Sequence, residues 1–159
     1  MELTLSQKER MLLEDQKKHE QLCIEKYNNY ANQAKDPQLK QIFNANAQSE
    51  KTHLDSINQM LNGTIPQMNQ PQNQNQGKNT NTAGNLNNIQ AGGANISDAD
   101  LCTDMLMTEK YVSGAYNTSI FEFRDTGARD VLNHIQKEEQ KHGEAIFQYM
   151  ESKGMYNVQ

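Results

Sequence analysis

Two short stretches, "SEKTH" at 49–53 and "EEQKH" at 138–142, each place a glutamate three residues before a histidine: Glu50 with His53, and Glu139 with His142. On a helix this spacing sets a carboxylate and an imidazole on one face, a turn apart. Another glutamate stands thirty residues before each pair, at Glu20 and Glu109. A set of four carboxylates and two imidazoles is what a carboxylate-bridged dimetal site requires, one Glu from each of two helices and a Glu-x-x-His from each of two others. Two divalent cations need several anionic oxygens to offset their charge, and imidazole among the donors favours iron or manganese over magnesium. Without metal, four buried carboxylates would repel one another and would have to take up protons or admit water. The residues alone leave two readings open: a site for two iron or manganese ions, or an emptied ancestral site kept as a polar core.

These six residues belong to an internal repeat. Shifted by eighty-nine positions, residues 20–53 align without a gap on 109–142, with Glu20/Glu109, Tyr27/Tyr116, Asn28/Asn117, Asp36/Asp125, Asn44/Asn133, Glu50/Glu139 and His53/His142 in common. A hairpin duplicated only for packing should share apolar positions, yet most of these are polar. Tyr27 and Tyr116 lie two turns from the first-helix glutamates and face inward, and are read as core residues with hydrogen-bonded hydroxyls behind the ligands. His19 and His134 point off the inward stripes. Glu138 is the neighbour that could replace Glu139, but the repeat and the stripe favour Glu139.

Four helices must position this set. Ser6 and Glu9 have capping-box spacing, and the stripe Leu13, Gln16, Glu20, Cys23, Tyr27, Ala31 follows in steps of three and four. Pro37 ends that helix and suits the first turn of a second, capped by Asp36 and stopped at Gly63. From Glu20 to Asp36 is sixteen residues and from Asp36 to Glu50 fourteen. At about 1.5 Å per residue the two glutamates are therefore level on antiparallel helices. Ser97 and Asp100 open a third helix, "RDTGAR" is its turn, and a fourth helix closes at Gly154. The expected fold is all-α, a four-helix bundle of two repeated hairpins, 5–62 and 97–154, in a single domain spanning 1–159.

A long crossover, 63–96, joins the hairpins. Residues 64–95 hold fifteen Asn or Gln and one charge, Lys78, too little apolar surface to offset ordering entropy, so a disordered or extended linker is expected. The net charge of −5 and the lack of a basic block argue against nucleic acid as a partner. No apolar run is long enough to span a membrane, and "MELTLSQKER" lacks the features of a secretory signal, so synthesis and retention inside a cell are expected. Cys23 and Cys102 are far apart and belong to no C-x-x-C pair, which excludes a zinc ribbon and favours two small buried residues over a disulfide.

The stretches "DMLMTEKYVSGAYNTSIFEF" and "VLNHIQKEEQKHGEAIFQYMESKGMY" resemble the bacterial spore coat protein F family over nearly all of residues 98–157. The first half resembles the same family or its ferritin-like relatives less closely, through "EQLCIEKYNNYA" and "NANAQSEKTHLD". The resemblance implies a ferritin-like bundle and a place in the spore coat of Gram-positive bacteria, made in the mother-cell cytoplasm without a signal peptide. Its expected partners are other spore coat proteins and copies of itself. The ligand pattern is also similar to that of rubrerythrins, although the four-cysteine electron-donor domain of those proteins is missing. Two functions follow: a mainly structural coat protein carrying a dimetal site, or a di-iron or di-manganese oxidoreductase that removes peroxide or oxygen. Iron storage is disfavoured, since nothing in the sequence signals the interfaces of a closed cage.

Overall fold

The computed structural model describes residues 2–67 and 96–159, so most of the expected Asn/Gln-rich linker lies outside the described residues. Among the described residues there are four helices: α1 (Gln7–Gln33), α2 (Pro37–Leu61), α3 (Asp98–Glu122) and α4 (Thr126–Ser152). Each begins where a side chain satisfies backbone N–H groups that have no partner within the helix. The Ser6 hydroxyl accepts from the Glu9 backbone N–H while the Glu9 carboxylate accepts from that of Ser6, a complete capping box. Asp36 caps α2 ahead of Pro37, Ser97 caps α3, and Asp125 caps α4 by accepting from the Ala128 N–H. Past the ends of α2 and α4, Gly63 and Gly154 take positive φ angles of 81° and 70°, a conformation that costs glycine nothing.

One boundary differs from the sequence reading. The second turn consists of Phe123, Arg124 and Asp125 alone, and Thr126, Gly127 and Ala128 are already helical. The cap supplied by Asp125 starts α4 early. Gly127 is held there by close packing, because a Cβ on it would lie 3.1 Å from Ile65 Cδ1.

Helix α1 packs against α2 and α3, and α4 against the same two. Tyr27 of α1 is level with Glu109 of α3, and Glu20 of α1 with Tyr116 of α3, so α1 and α3 run antiparallel. Both hairpins are antiparallel as well, which makes the diagonal helices α2 and α3 parallel. Helix α2 therefore ends at one end of the bundle and α3 starts at the other.

Buried apolar side chains form two clusters instead of one continuous core. One contains Leu13, Cys23, Ile57, Val112, Leu132 and Ile135; the other contains Leu39, Phe43, Leu101, Cys102, Met105 and Ile146. Between them lies a layer of glutamate and histidine. The two cysteines are free, buried and in different clusters, as small core residues. Burial, with the glutamate charges nearby, pushes the Cys23 thiol far up and burial pushes Cys102 up to about 12, so both remain protonated.

The ends of the bundle are clasped by polar contacts. At one end Arg124 donates to the buried Glu9 carboxylate from its backbone and its guanidinium, at 2.9 and 3.0 Å. Leu3 pairs with the Gly63 carbonyl at 2.7 Å beside them. At the other end the Asp98 carboxylate accepts from the backbone of Lys35 and Asp36, both at 2.9 Å, and Tyr149 donates to Asp36. No described helix is long and apolar enough to cross a membrane.

Candidate metal centre

All six residues singled out by spacing meet in the layer between the apolar clusters. Glu20, Glu50 and Glu139 are at most 1% exposed, Glu109 2%, His53 3% and His142 5%. Each gets there because the 3.6-residue helical period carries it inward along a stripe that is mostly apolar. The level placement expected from the turn intervals is observed.

Two overlapping groups of donors result. Glu20, Glu50, His53 and Glu139 form one, and Glu50, Glu109, Glu139 and His142 the other; within each group, one donor atom per residue lies within 4.8 Å of the rest. Glu50 and Glu139 belong to both. The arrangement follows the repeat: two shared carboxylates in the middle, and a Glu–His pair from different helices at each side. The two imidazole rings are stacked with centroids 5.6 Å apart.

These groups approach closely without satisfying one another. His142 Nδ1 lies 3.4 Å from Glu50, 3.5 Å from Glu109 and 3.3 Å from Glu139, yet it makes no hydrogen bond of acceptable geometry. Glu20 Oε2, Glu50 Oε1, Glu109 Oε2 and both oxygens of Glu139 are likewise buried without a partner. His53 Nδ1 does reach Glu50 Oε2, at 2.9 Å. Unpaired buried polar atoms are rare in folded proteins because each costs about 1–3 kcal/mol, more if charged. Six in one layer, converging on two points, fit a pair of cations held by oxygen and nitrogen donors.

Behind the donors, hydrogen bonds fix the outer carboxylates. The Tyr27 hydroxyl donates to Glu109 Oε1, and the Tyr116 hydroxyl to Glu20 Oε1, so each hairpin's tyrosine orients the outer glutamate of the other. Asn46 Nδ2 donates to the Tyr27 hydroxyl at 3.2 Å, and Ser49 Oγ stands 3.5 Å from His53 Nε2. Farther along, Gln16 Nε2 donates to the buried Ser119 Oγ at 3.2 Å. Asn46 and Ser119 escaped the sequence reading. Asn46 lies one turn before Glu50 on the inward face, but its counterpart in the repeat is Ile135, so the comparison of halves hid it.

Protonation follows from the same geometry. Burial, with the charges of Glu50 and Glu139 beside it, pushes Glu20 well above the usual carboxylate range, against the opposing pull of His53. Glu109 is raised for similar reasons. Burial also raises Glu139, but the contacts from His142 and His53 outweigh it and hold that carboxyl far down. Burial would neutralise the imidazoles, yet the surrounding carboxylates win: His53 is well raised and His142 is pushed up to about 11. In the metal-free chain, protons offset the negative charge of the layer. The tyrosine hydroxyls, raised by burial and the adjacent carboxylates, remain donors.

The other candidates lie elsewhere. His134 is exposed, His19 packs edge-on against Tyr111 with centroids 5.5 Å apart, and Glu138 pairs with Lys141 at 2.7 Å. A cleft of about 810 Å³ opens on the outer face between α3 and α4, and both Glu109 and Glu139 line it.

No curated protein and no solved structure matches the chain. The second hairpin, residues 97–159, matches the model of the Coat F domain, so the half of the bundle that holds Glu109, Glu139 and His142 is similar to that family.

Proposed function

We propose that the chain is a spore coat protein with a ferritin-like bundle, mainly structural in role, whose core holds a carboxylate-bridged pair of iron or manganese ions. The observation that carries the metal reading is the two overlapping donor groups sharing Glu50 and Glu139, with buried donor atoms left unpaired. The Coat F match supports the coat assignment. Glu50 and Glu139 would be shared between the two ions, Glu20 with His53 would hold one, and Glu109 with His142 would hold the other. Tyr27 and Tyr116 keep the outer carboxylates turned inward. When bound, the metals supply Lewis-acid and one-electron redox chemistry. The apolar clusters close the layer off above and below along the bundle axis.

A second reading, removal of peroxide or oxygen, draws on the cleft that reaches Glu109 and Glu139 from outside. It is compatible with the first, since a coat protein can carry a reactive metal site. In either case the coat partners are other coat proteins and copies of this chain.

Fractionating spores that express the tagged full chain tests the coat role. The chain should be recovered with the insoluble coat layers, and Glu50→Gln should be recovered there too, because Glu50 is fully buried and offers a partner nothing to touch. Recovery of the parent only in the soluble spore core or the mother-cell lysate would refute the coat assignment. Peroxide turnover by the metal-loaded parent, absent in His142→Ala, would raise the second reading above the first.

A further inference from the structure

We propose that the metal layer is open to small anions from one side of the bundle, through the cleft between α3 and α4, with Ser113 and Gly143 as its gap. The inference rests on the dimetal reading and adds where a further ligand reaches the ions and what charge it carries.

The repeat makes the asymmetry visible. Shifted back by eighty-nine residues, Ser113 falls on Ile24 and Gly143 on Leu54, and both of those side chains are partly buried. One outer face thus carries two branched apolar groups where the other has a hydroxymethyl and a hydrogen. Backbone geometry does not call for glycine at 143, which lies inside α4 and lacks the positive φ seen at Gly63 and Gly154. Nor does crowding, since a Cβ there would meet only Leu106 Cδ1, at an ordinary 3.6 Å. Glycine weakens a helix interior, so what it contributes at this point is space.

The space leads to the right residues. Glu109 and Glu139 form part of the cleft lining although they are 2% and 1% exposed, and Glu109 Oε2 and both Glu139 oxygens lack partners. The rim is net cationic: Lys110 and Lys137 are exposed and make no ion pair among the described residues, Lys141 adds a third charge, paired to Glu138, and the exposed Glu144 opposes them with one carboxylate. The equivalents of these three lysines on the first hairpin are Gln21, Gln48 and Thr52. Such a rim draws in anions and repels free cations. At the floor the metal-free layer offers an anion no Lewis acid to coordinate, and two bound dications would supply one. The ligand is therefore a small monoanion with an oxygen or nitrogen donor, bound by the loaded protein only.

Azide binding to the Co²⁺-loaded full chain, followed by visible absorption in a stopped-flow instrument, tests this. The parent should bind azide at a rate that falls with added salt. Gly143→Leu should slow binding at least tenfold with the Co²⁺ bands intact. Adding Leu54→Gly to that variant should restore the rate by opening the opposite face. Lys110→Gln/Lys137→Gln should bind several-fold more slowly at low salt and lose most of the salt dependence. Ser113→Ile, which narrows the same gap from α3, provides a second variant if Gly143→Leu fails to fold. Parent-like azide rates in both narrowed variants would overturn the proposal while leaving the dimetal site standing. Absence of Co²⁺ bands in the parent would overturn the dimetal reading, and this proposal with it.

Discussion

Glu20 and Glu109 each keep one oxygen on a tyrosine hydroxyl and one oxygen free. That division holds the carboxylate in a single rotamer and aims the free oxygen into the layer. Groups that orient metal ligands in this way typically account for a 10–100-fold difference in affinity when removed. Tyr116→Phe and Tyr27→Phe should therefore each weaken metal binding about 10–100-fold, measured by competition with a chromophoric chelator, and leave the helical circular dichroism unchanged. Asn46→Leu should have a smaller effect in the same direction, because Asn46 acts through Tyr27. Protonation gives a second expectation. His53, His142, Glu20 and Glu109 are all shifted toward their protonated forms in the metal-free chain. Loading with metal near neutral pH should then release protons, and apparent affinity should rise with pH. Calorimetry in two buffers of different ionisation enthalpy would detect the release; identical heats would argue against it. Every ligand candidate was legible in the sequence because it recurs at the same offset in both halves. Asn46 and Ser119 were not, since each stands opposite a different residue type in the repeat.

At the scale of the elements, each hairpin sets two carboxylates level by means of one turn, and the caps fix where that turn begins. Glu9 extends this control, being both the third residue of the α1 capping box and the acceptor for Arg124 in the turn between α3 and α4. Burial pushes its carboxyl up, but the hydrogen bonds from Arg124 and Ser6 outweigh burial and hold it at about 2. A carboxyl depressed in the folded state adds stability above its ordinary value of 4.5 and loses that contribution as pH falls through about 2. Glu9→Gln should accordingly lower Tm by several degrees at pH 7, with the gap to the parent closing between about pH 4.5 and pH 2. A gap that stays constant over that range would show that the ion pair contributes nothing. The four helices, their caps and most of their buried stripes were legible from local signals, because capping residues and 3.6-residue periodicity act within one or two turns. The boundary at Asp125 was misjudged for a physical reason: Gly127 reads as a turn residue in isolation, whereas its role is to let Ile65 approach α4.

Across the whole molecule, a charged layer divides what would otherwise be one apolar core, and the metal-free protein carries that layer as a cost. Replacing a buried ionic cluster by apolar groups of similar volume is often neutral or stabilising by about 1–4 kcal/mol. Removing only part of the cluster differs: Glu50→Leu/Glu139→Leu strips His53 and His142 of carboxylates that hold them charged, so it should lower the Tm of the metal-free chain and abolish its rise on adding Fe²⁺ or Mn²⁺. In the parent, metal at a hundred times its dissociation constant should add about 2.7 kcal/mol per site by mass action. A parent whose Tm ignores both ions would contradict that linkage. The crossing of the hairpins, which pairs Tyr27 with Glu109 and Tyr116 with Glu20, was not legible in the sequence, because helix-to-helix packing depends on side chains distant along the chain. The most direct test is metal content by elemental mass spectrometry on the full chain purified without chelator, beside Glu50→Ala/Glu139→Ala with its fold checked by circular dichroism. Two iron or manganese atoms per parent chain and almost none in the double variant are the predicted result. No metal in either protein, even after anaerobic loading with Fe²⁺ and with Mn²⁺, would contradict the dimetal site.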